Sequence, residues 1–215
     1  MRRTRVKICG VVSAEEAALV VDAGADAVGV ILAPSPRRVG IERLHEIAER
    51  IPALVTLVAV FVDPPSALVD EALKVGAIPQ FHGREPAEAC EAFAAGPYVK
   101  AYHVGASEPV EHEAFERFAR PYAHATWLFD TARPDGLSGG SGRTFSWNDA
   151  RTLAGDRPFV VSGGLTPENV VDCVRAVRPF AVDVRSGVER NGVKDARLVR
   201  AFVDAVRAAD AEAGP

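Results

Sequence analysis

Cysteine is scarce in this chain: Cys9, Cys90 and Cys173 are three in 215 residues, far apart, with no Cys-x-x-Cys pair. Neither a disulfide framework nor a zinc site is suggested, because no histidine stands at metal-ligand spacing from them. Long apolar runs are also missing. None approaches the roughly 20 residues needed to cross a bilayer, and Met1-Arg2-Arg3-Thr4-Arg5 leads into a strand without the apolar core of a signal peptide. A cytoplasmic protein with reduced thiols is expected. There is no excess of positive charge, since 25 Lys+Arg stand against 29 Asp+Glu for a net charge of −4. That balance counts against nucleic acid or an anionic membrane as the main partner and still permits a local anion site. The first strand-to-helix turn, Cys9-Gly10-Val11-Val12-Ser13, lacks a Gly-x-Gly-x-x-Gly fingerprint. A dinucleotide-binding open sheet is therefore disfavoured.

What the chain does have is a repeated cycle. Val6-Lys7-Ile8-Cys9 is an apolar strand broken by Gly10; Ser13 is placed to cap the next helix, with Glu16 completing a capping box and Gly24 ending it. Strands are then expected at 27–32, 57–62, 77–82, 98–104, 125–129, 159–162 and 180–185. Helices are expected at 41–51, from Pro64-Pro65 towards Gly76, at 86–95, 110–119 and 147–153, from Pro167, and at 195–209. Eight alternations without a composition break predict one α/β domain over residues 1–215, a closed (β/α)8 TIM barrel, with an open doubly wound sheet as the alternative.

Active sites of such barrels form at the C-terminal strand ends. Cys9, the Arg37-Arg38 loop, Gln80, His82, Asp130 and the segment from Asp183 to Gly187 all lie there. So do three glycine-bearing loops: Ser138-Gly139-Gly140-Ser141-Gly142, Ser162-Gly163-Gly164-Leu165 and Arg185-Ser186-Gly187-Val188. Glycine lets backbone N–H groups turn towards an anion, so Gly140, Ser141, Gly142, Gly163, Gly164, Ser186 and Gly187 are the candidate phosphate cradle. Each feature also has a plainer reading: Cys9 as a buried small hydrophobe, His82 as a hydrogen-bonded lining residue, Asp130 as a loop cap, the glycines as turns.

Taken in order, Lys7-Ile8-Cys9-Gly10, Gly24-Ala25-Asp26-Ala27-Val28-Gly29, Ser35-Pro36-Arg37, Gln80-Phe81-His82-Gly83, Phe129-Asp130-Thr131, Gly139-Gly140-Ser141-Gly142, Ser162-Gly163-Gly164-Leu165-Thr166-Pro167 and Ser186-Gly187-Val188-Glu189 resemble the phosphoribosylanthranilate isomerases of tryptophan biosynthesis over essentially the whole chain. The resemblance implies a cofactor-free Amadori rearrangement of N-(5-phosphoribosyl)anthranilate to 1-(2-carboxyphenylamino)-1-deoxyribulose 5-phosphate. It implies Asp130 as general acid, protonated at rest, and Cys9 as general base, poised as thiolate. Arg37 would grip the anthranilate carboxylate, and Lys7, His82 and Asp183 would line the substrate. Independently, strand alternation puts Lys7 with Cys9 on one face of the first strand and Asp183 with Arg185 on one face of the last, its neighbour in a closed barrel, so Lys7 is expected to pair with Asp183. A small phosphosugar is the implied partner, and monomer and homodimer both stay open.

Three positions depart from the family pattern: Arg185 stands where serine is usual, Val12 where threonine is usual, and Arg38 where an aromatic or apolar residue is usual. Arg185 is expected near Cys9, where its charge would favour the thiolate, or else out in solvent or on phosphate. Rival functions are another phosphosugar isomerase on the same barrel, a metal-dependent epimerase, and a noncatalytic phosphosugar-binding protein.

Overall fold

The computed structural model describes residues 3–94, 96–105, 111–131 and 145–212. Eight parallel strands close into one barrel in chain order, β1 pairing with β8, which rules out the open sheet. The strands are β1 (Arg5–Cys9), β2 (Ala27–Ile31), β3 (Thr56–Phe61), β4 (Ile78–Phe81), β5 (Tyr98–Val104), β6 (Ala125–Thr131), β7 (Phe159–Val161) and β8 (Ala181–Val184). The helices that cover them are α1 (Ala14–Asp22), α2 (Ile41–Ala48), α3 (Ser66–Lys74), α4 (Ala87–Ala94), α5 (His112–Ala119), α6 (Trp147–Ala154), α7 (Val170–Val177) and α8 (Ala196–Glu212).

Strand alternation sorts the side chains into two layers. Outward residues such as Val6, Ile8, Phe81, Phe129, Val161, Val182 and Val184 join the helices in the main core. Inward residues Ala101, Leu128, Val160 and Ala181 fill the lower barrel, with Val99 and Phe180 against them. One step further along each strand, the same inward face carries Lys7, Gln80, Asp130 and Asp183. The apolar layer beneath is the floor on which a polar site stands.

Several boundaries differ from the pattern reading. The helix expected from Pro167 begins at Val170, because Asn169 holds the preceding turn with its side chain: its Oδ1 accepts from Thr166 N at 2.8 Å and its Nδ2 donates to Gly164 O at 2.9 Å. Ser13 does cap α1, accepting from Glu16 N at 3.2 Å, but Glu16 reaches past the cap to Val12 N at 3.1 Å. After β8 a short 3-10 turn (Ser186–Val188) leads into an unforeseen two-stranded hairpin, β9 (Glu189–Arg190) and β10 (Val193–Lys194). Its signal was the Asn191-Gly192 pair, both residues of which have positive φ, 53° and 75°, as a two-residue hairpin turn requires.

Candidate active site

The barrel mouth holds two polar clusters. The first surrounds Cys9. Lys7 and Asp183 are register partners on β1 and β8 and form a buried ion pair, Nζ to Oδ2 at 2.8 Å, as the alternation predicts. Lys7 also stands close enough to Cys9 for its charge to pull the thiol pKa down. Gly29 makes room for both, since a Cβ there would stand 3.0 Å from Cys9 Sγ and 3.0 Å from Lys7 Cε. Asp183 Oδ1 has no hydrogen-bond partner among the described residues, which leaves a buried acceptor unpaired beside Lys7.

Lys194 enters this cluster from the hairpin. It is buried, and its Nζ donates to Arg185 O and Glu189 Oε1, both at 2.8 Å. Sequence reasoning missed it because the hairpin itself was missed. Arg185, half-buried, lays its side-chain stem across Gly10: a Cβ on that glycine would meet its Cγ at 3.1 Å.

The second cluster surrounds Asp130. His82 Nε2 lies 3.2 Å from Asp130 Oδ2, and Gln80 Nε2 donates to His82 Nδ1 at 3.1 Å, so the ring presents its Nε2–H to the carboxylate. Thr131 N donates to Asp130 Oδ1 at 2.8 Å. Gly163, at φ +84°, packs directly on this carboxylate; a Cβ there would come within 2.6 Å of Asp130 Oδ1. Its lack of a side chain thus serves close approach to Asp130. Gly187 serves a similar end, since a Cβ there would collide with the Leu165 carbonyl and push apart the loops after β7 and β8. Gly140, Ser141 and Gly142 lie outside the described residues.

Burial pushes the Cys9 thiol up, and although Lys7 opposes this, Asp183 adds to it and the smaller pulls of Lys194 and Arg185 do not reverse it. Arg185 therefore acts in the expected direction without producing a resting thiolate. For Asp130, burial alone would raise the pKa, but the hydrogen bonds from His82 and the Thr131 N–H hold it below the ordinary carboxylate value. The two environments thus act in the opposite sense to the expected one, favouring the neutral thiol at Cys9 and the carboxylate at Asp130. Burial that strips solvent from the thiol, set against donors aimed at the carboxylate, is the physical reason.

Arg37 also differs from expectation. It is not an open fork at the mouth: buried, its Nε donates to Gly10 O at 2.7 Å, one terminal nitrogen donates to Gly192 O, and the other meets Glu16 Oε2 at 2.5 Å. Glu16 thus already occupies part of the guanidinium expected to hold a substrate carboxylate. Nothing in the chain's local pattern announces a contact between residues 16 and 37. Arg38 is exposed.

The Lys7–Asp183 pair yields a stability prediction. Lys7→Met would strand a buried carboxylate whose other oxygen is already unpaired, at a cost of about 3–5 kcal/mol of unfolding free energy, measured by urea denaturation. Lys7→Met with Asp183→Leu is expected to recover most of that loss, because no charge remains buried. Equal stability of the single and double variants would show that the pair is not what the fold depends on.

Among the described residues, one group could hold a metal: His82, His103 and Asp130, whose ligand atoms all lie within 4.8 Å of one another. No helix among the described residues is long and apolar enough to cross a membrane.

Comparison with known proteins agrees with this fold. The family model for N-(5'phosphoribosyl)anthranilate (PRA) isomerase matches residues 6–205. The N-(5'-phosphoribosyl)anthranilate isomerase of Pseudomonas aeruginosa (strain LESB58) is 42% identical over 213 residues, covering 96% of this chain and 97% of that relative. The crystal structure of phosphoribosyl anthranilate isomerase from Thermotoga maritima superposes with a TM-score of 0.83 at 37% identity, covering 95% of this chain and 99% of that one. A phosphoribosyl anthranilate isomerase crystallised in complex with reduced 1-(o-carboxyphenylamino)-1-deoxyribulose 5-phosphate superposes at 0.78 with 36% identity, over 95% of this chain and 99% of that chain.

Proposed function

Because this chain belongs to the N-(5'-phosphoribosyl)anthranilate isomerase family of tryptophan biosynthesis, we propose that Asp130 and Cys9 divide the acid and base work of the isomerisation. Asp130 gives a proton to the furanose ring oxygen, the ring C–O bond breaks, and the aminoaldose opens to an iminium. Cys9 then takes the proton from C2, the electron pair moves into the C1–C2 bond, and the resulting enol tautomerises to the ketose. No atom is gained or lost and no electron acceptor is needed. The reading places the reaction in the cytoplasm, without a cofactor.

The observation that carries it is the pairing of clusters: a thiol ringed by Lys7, Lys194 and Arg185, which would stabilise a thiolate, and a carboxylate held in place by His82 and Thr131 N–H. Asp183 Oδ1, a buried acceptor without a partner among the described residues, would accept from a substrate hydroxyl, with Lys7 positioning it. Arg37 would bind the anthranilate carboxylate by sharing its guanidinium with Glu16 or exchanging one carboxylate for the other. The loops at Gly163-Gly164 and Ser186-Gly187, with 140–142, would take the phosphate.

The resting protonation sets the pH test. Asp130 titrates low and Cys9 high, so between the two values the pair holds one proton and the productive form, thiolate with carboxylic acid, is its minor tautomer. The ratio kcat/KM is therefore expected to stay level through neutral pH and to fall as pH rises through the elevated Cys9 value, where the pair loses its only proton. A profile that climbs across the alkaline range would contradict this assignment.

A further inference from the structure

The inward ends of three consecutive strands bring together His82, just past β4, His103 on β5 and Asp130 on β6. His103 and Asp130 are direct register partners. The His82 and His103 rings stand 5.0 Å apart, centroid to centroid, and His103 Nε2 lies 3.4 Å from His82 O. The 3.2 Å between His82 Nε2 and Asp130 Oδ2 is close to the roughly 3.3 Å edge of a tetrahedron with metal–ligand bonds of about 2.0 Å. From these positions we infer that His82, His103 and Asp130 form a site for one borderline divalent transition-metal ion, of which Zn2+ is the type, with its fourth position open to the barrel mouth.

Two imidazoles and a carboxylate suit Zn2+, Co2+, Ni2+ or Cu2+ better than Mg2+ or Ca2+, which prefer all-oxygen cages. The bridging hydrogen bond must be exchanged for the ion. His82 ligates through Nε2 only when its proton sits on Nδ1, and the residue facing Nδ1 is Gln80, buried, with Oε1 lacking a partner among the described residues. A flip of the Gln80 amide presents that oxygen to Nδ1–H. One unpaired amide atom replaces another, and the ring shifts tautomer without net proton release. Gln80 would then serve as the outer partner that fixes a ligating histidine. His103 already has a ring nitrogen within 4.8 Å of the other two ligand atoms, and it ligates either through Nδ1 or by giving up the contact of Nε2 with His82 O.

An ion held there occupies the oxygen that must deliver the proton, so it switches the reaction off. Only this inhibitory consequence rests on the proposed role of Asp130; binding does not. The test titrates Co2+ as a spectroscopic probe into the wild-type protein and His103→Ala, and separately measures turnover with Zn2+ and then EDTA. One equivalent with tetrahedral or five-coordinate d–d bands is expected, weakened by at least about tenfold in His103→Ala. Zn2+ should abolish wild-type turnover, EDTA should restore it, and His103→Ala should keep its turnover in Zn2+. Equal Co2+ affinity in the two proteins, no stoichiometric binding, or a thiolate-to-cobalt charge-transfer band placing the ion on Cys9 would overturn the site. Binding at the three residues without inhibition would refute the inhibitory consequence and count against Asp130 as the acid.

Discussion

Replacing Cys9 with alanine is expected to lower kcat by about 10²–10⁴-fold while the barrel stays folded and retains affinity for the reduced product analogue. The substitution is structurally mild. Cys9 packs in a small apolar cluster with Ile31, Ala33 and Val60, and alanine removes a single sulfur atom, worth about 1 kcal/mol of packing. Because burial keeps the resting thiol neutral, no charge is left unbalanced, and Lys7 keeps its bond to Asp183. What is lost is the only thiol facing the mouth, Cys90 and Cys173 being buried in α4 and α7. Serine at the same position would fit the space, yet its hydroxyl is too weak an acid to yield the base at neutral pH. A Cys9→Ala enzyme turning over near the wild-type rate would assign the C2 proton to another group.

Asp130→Asn is expected to reduce kcat by a similar factor, about 10²–10⁴-fold, with little loss of stability. The amide is nearly isosteric, which matters where Gly163 leaves no spare space beside the carboxylate. Its oxygen can keep the bond from Thr131 N, made at 2.8 Å in the wild type. Its NH2 would then face His82 Nε2, a donor as the site stands. The ring can answer by moving its proton to Nδ1 while Gln80 flips to present Oε1, so the cluster remains satisfied and the fold intact. The amide cannot supply a proton to the ring oxygen. Normal turnover by a folded Asp130→Asn variant would remove Asp130 from the mechanism, and a large drop in stability would mean that its carboxylate chiefly holds the mouth together.

The barrel was legible because its signals are local. Period-two strands such as Val6 to Cys9, the Ser13 cap and glycines closing helices each read within a few residues, and eight repeats of that pattern leave few folds open. Alternation also yielded the Lys7–Asp183 pair, since neighbouring parallel strands place equivalent inward residues side by side. What stayed hidden was set by contacts distant in sequence. Arg37 is tied to Glu16, Gly10 and Gly192 by a closure only the folded barrel makes. Lys194 reaches the thiol cluster through a hairpin whose Asn191-Gly192 turn is readable but whose destination is not. Protonation was the hardest to read: a motif names a thiol and a carboxyl, whereas the balance between burial and facing donors decides which keeps the proton.

The most direct test is the rate at which purified wild-type protein consumes freshly generated N-(5'-phosphoribosyl)anthranilate in EDTA, with Cys9→Ala and Asp130→Asn measured alongside. Rapid conversion to the ribulose product by the wild type, lost in each variant while analogue binding persists, is the predicted result. Substrate conversion that survives in either variant, or a wild type that binds the analogue and turns nothing over, would contradict the assignment of acid and base.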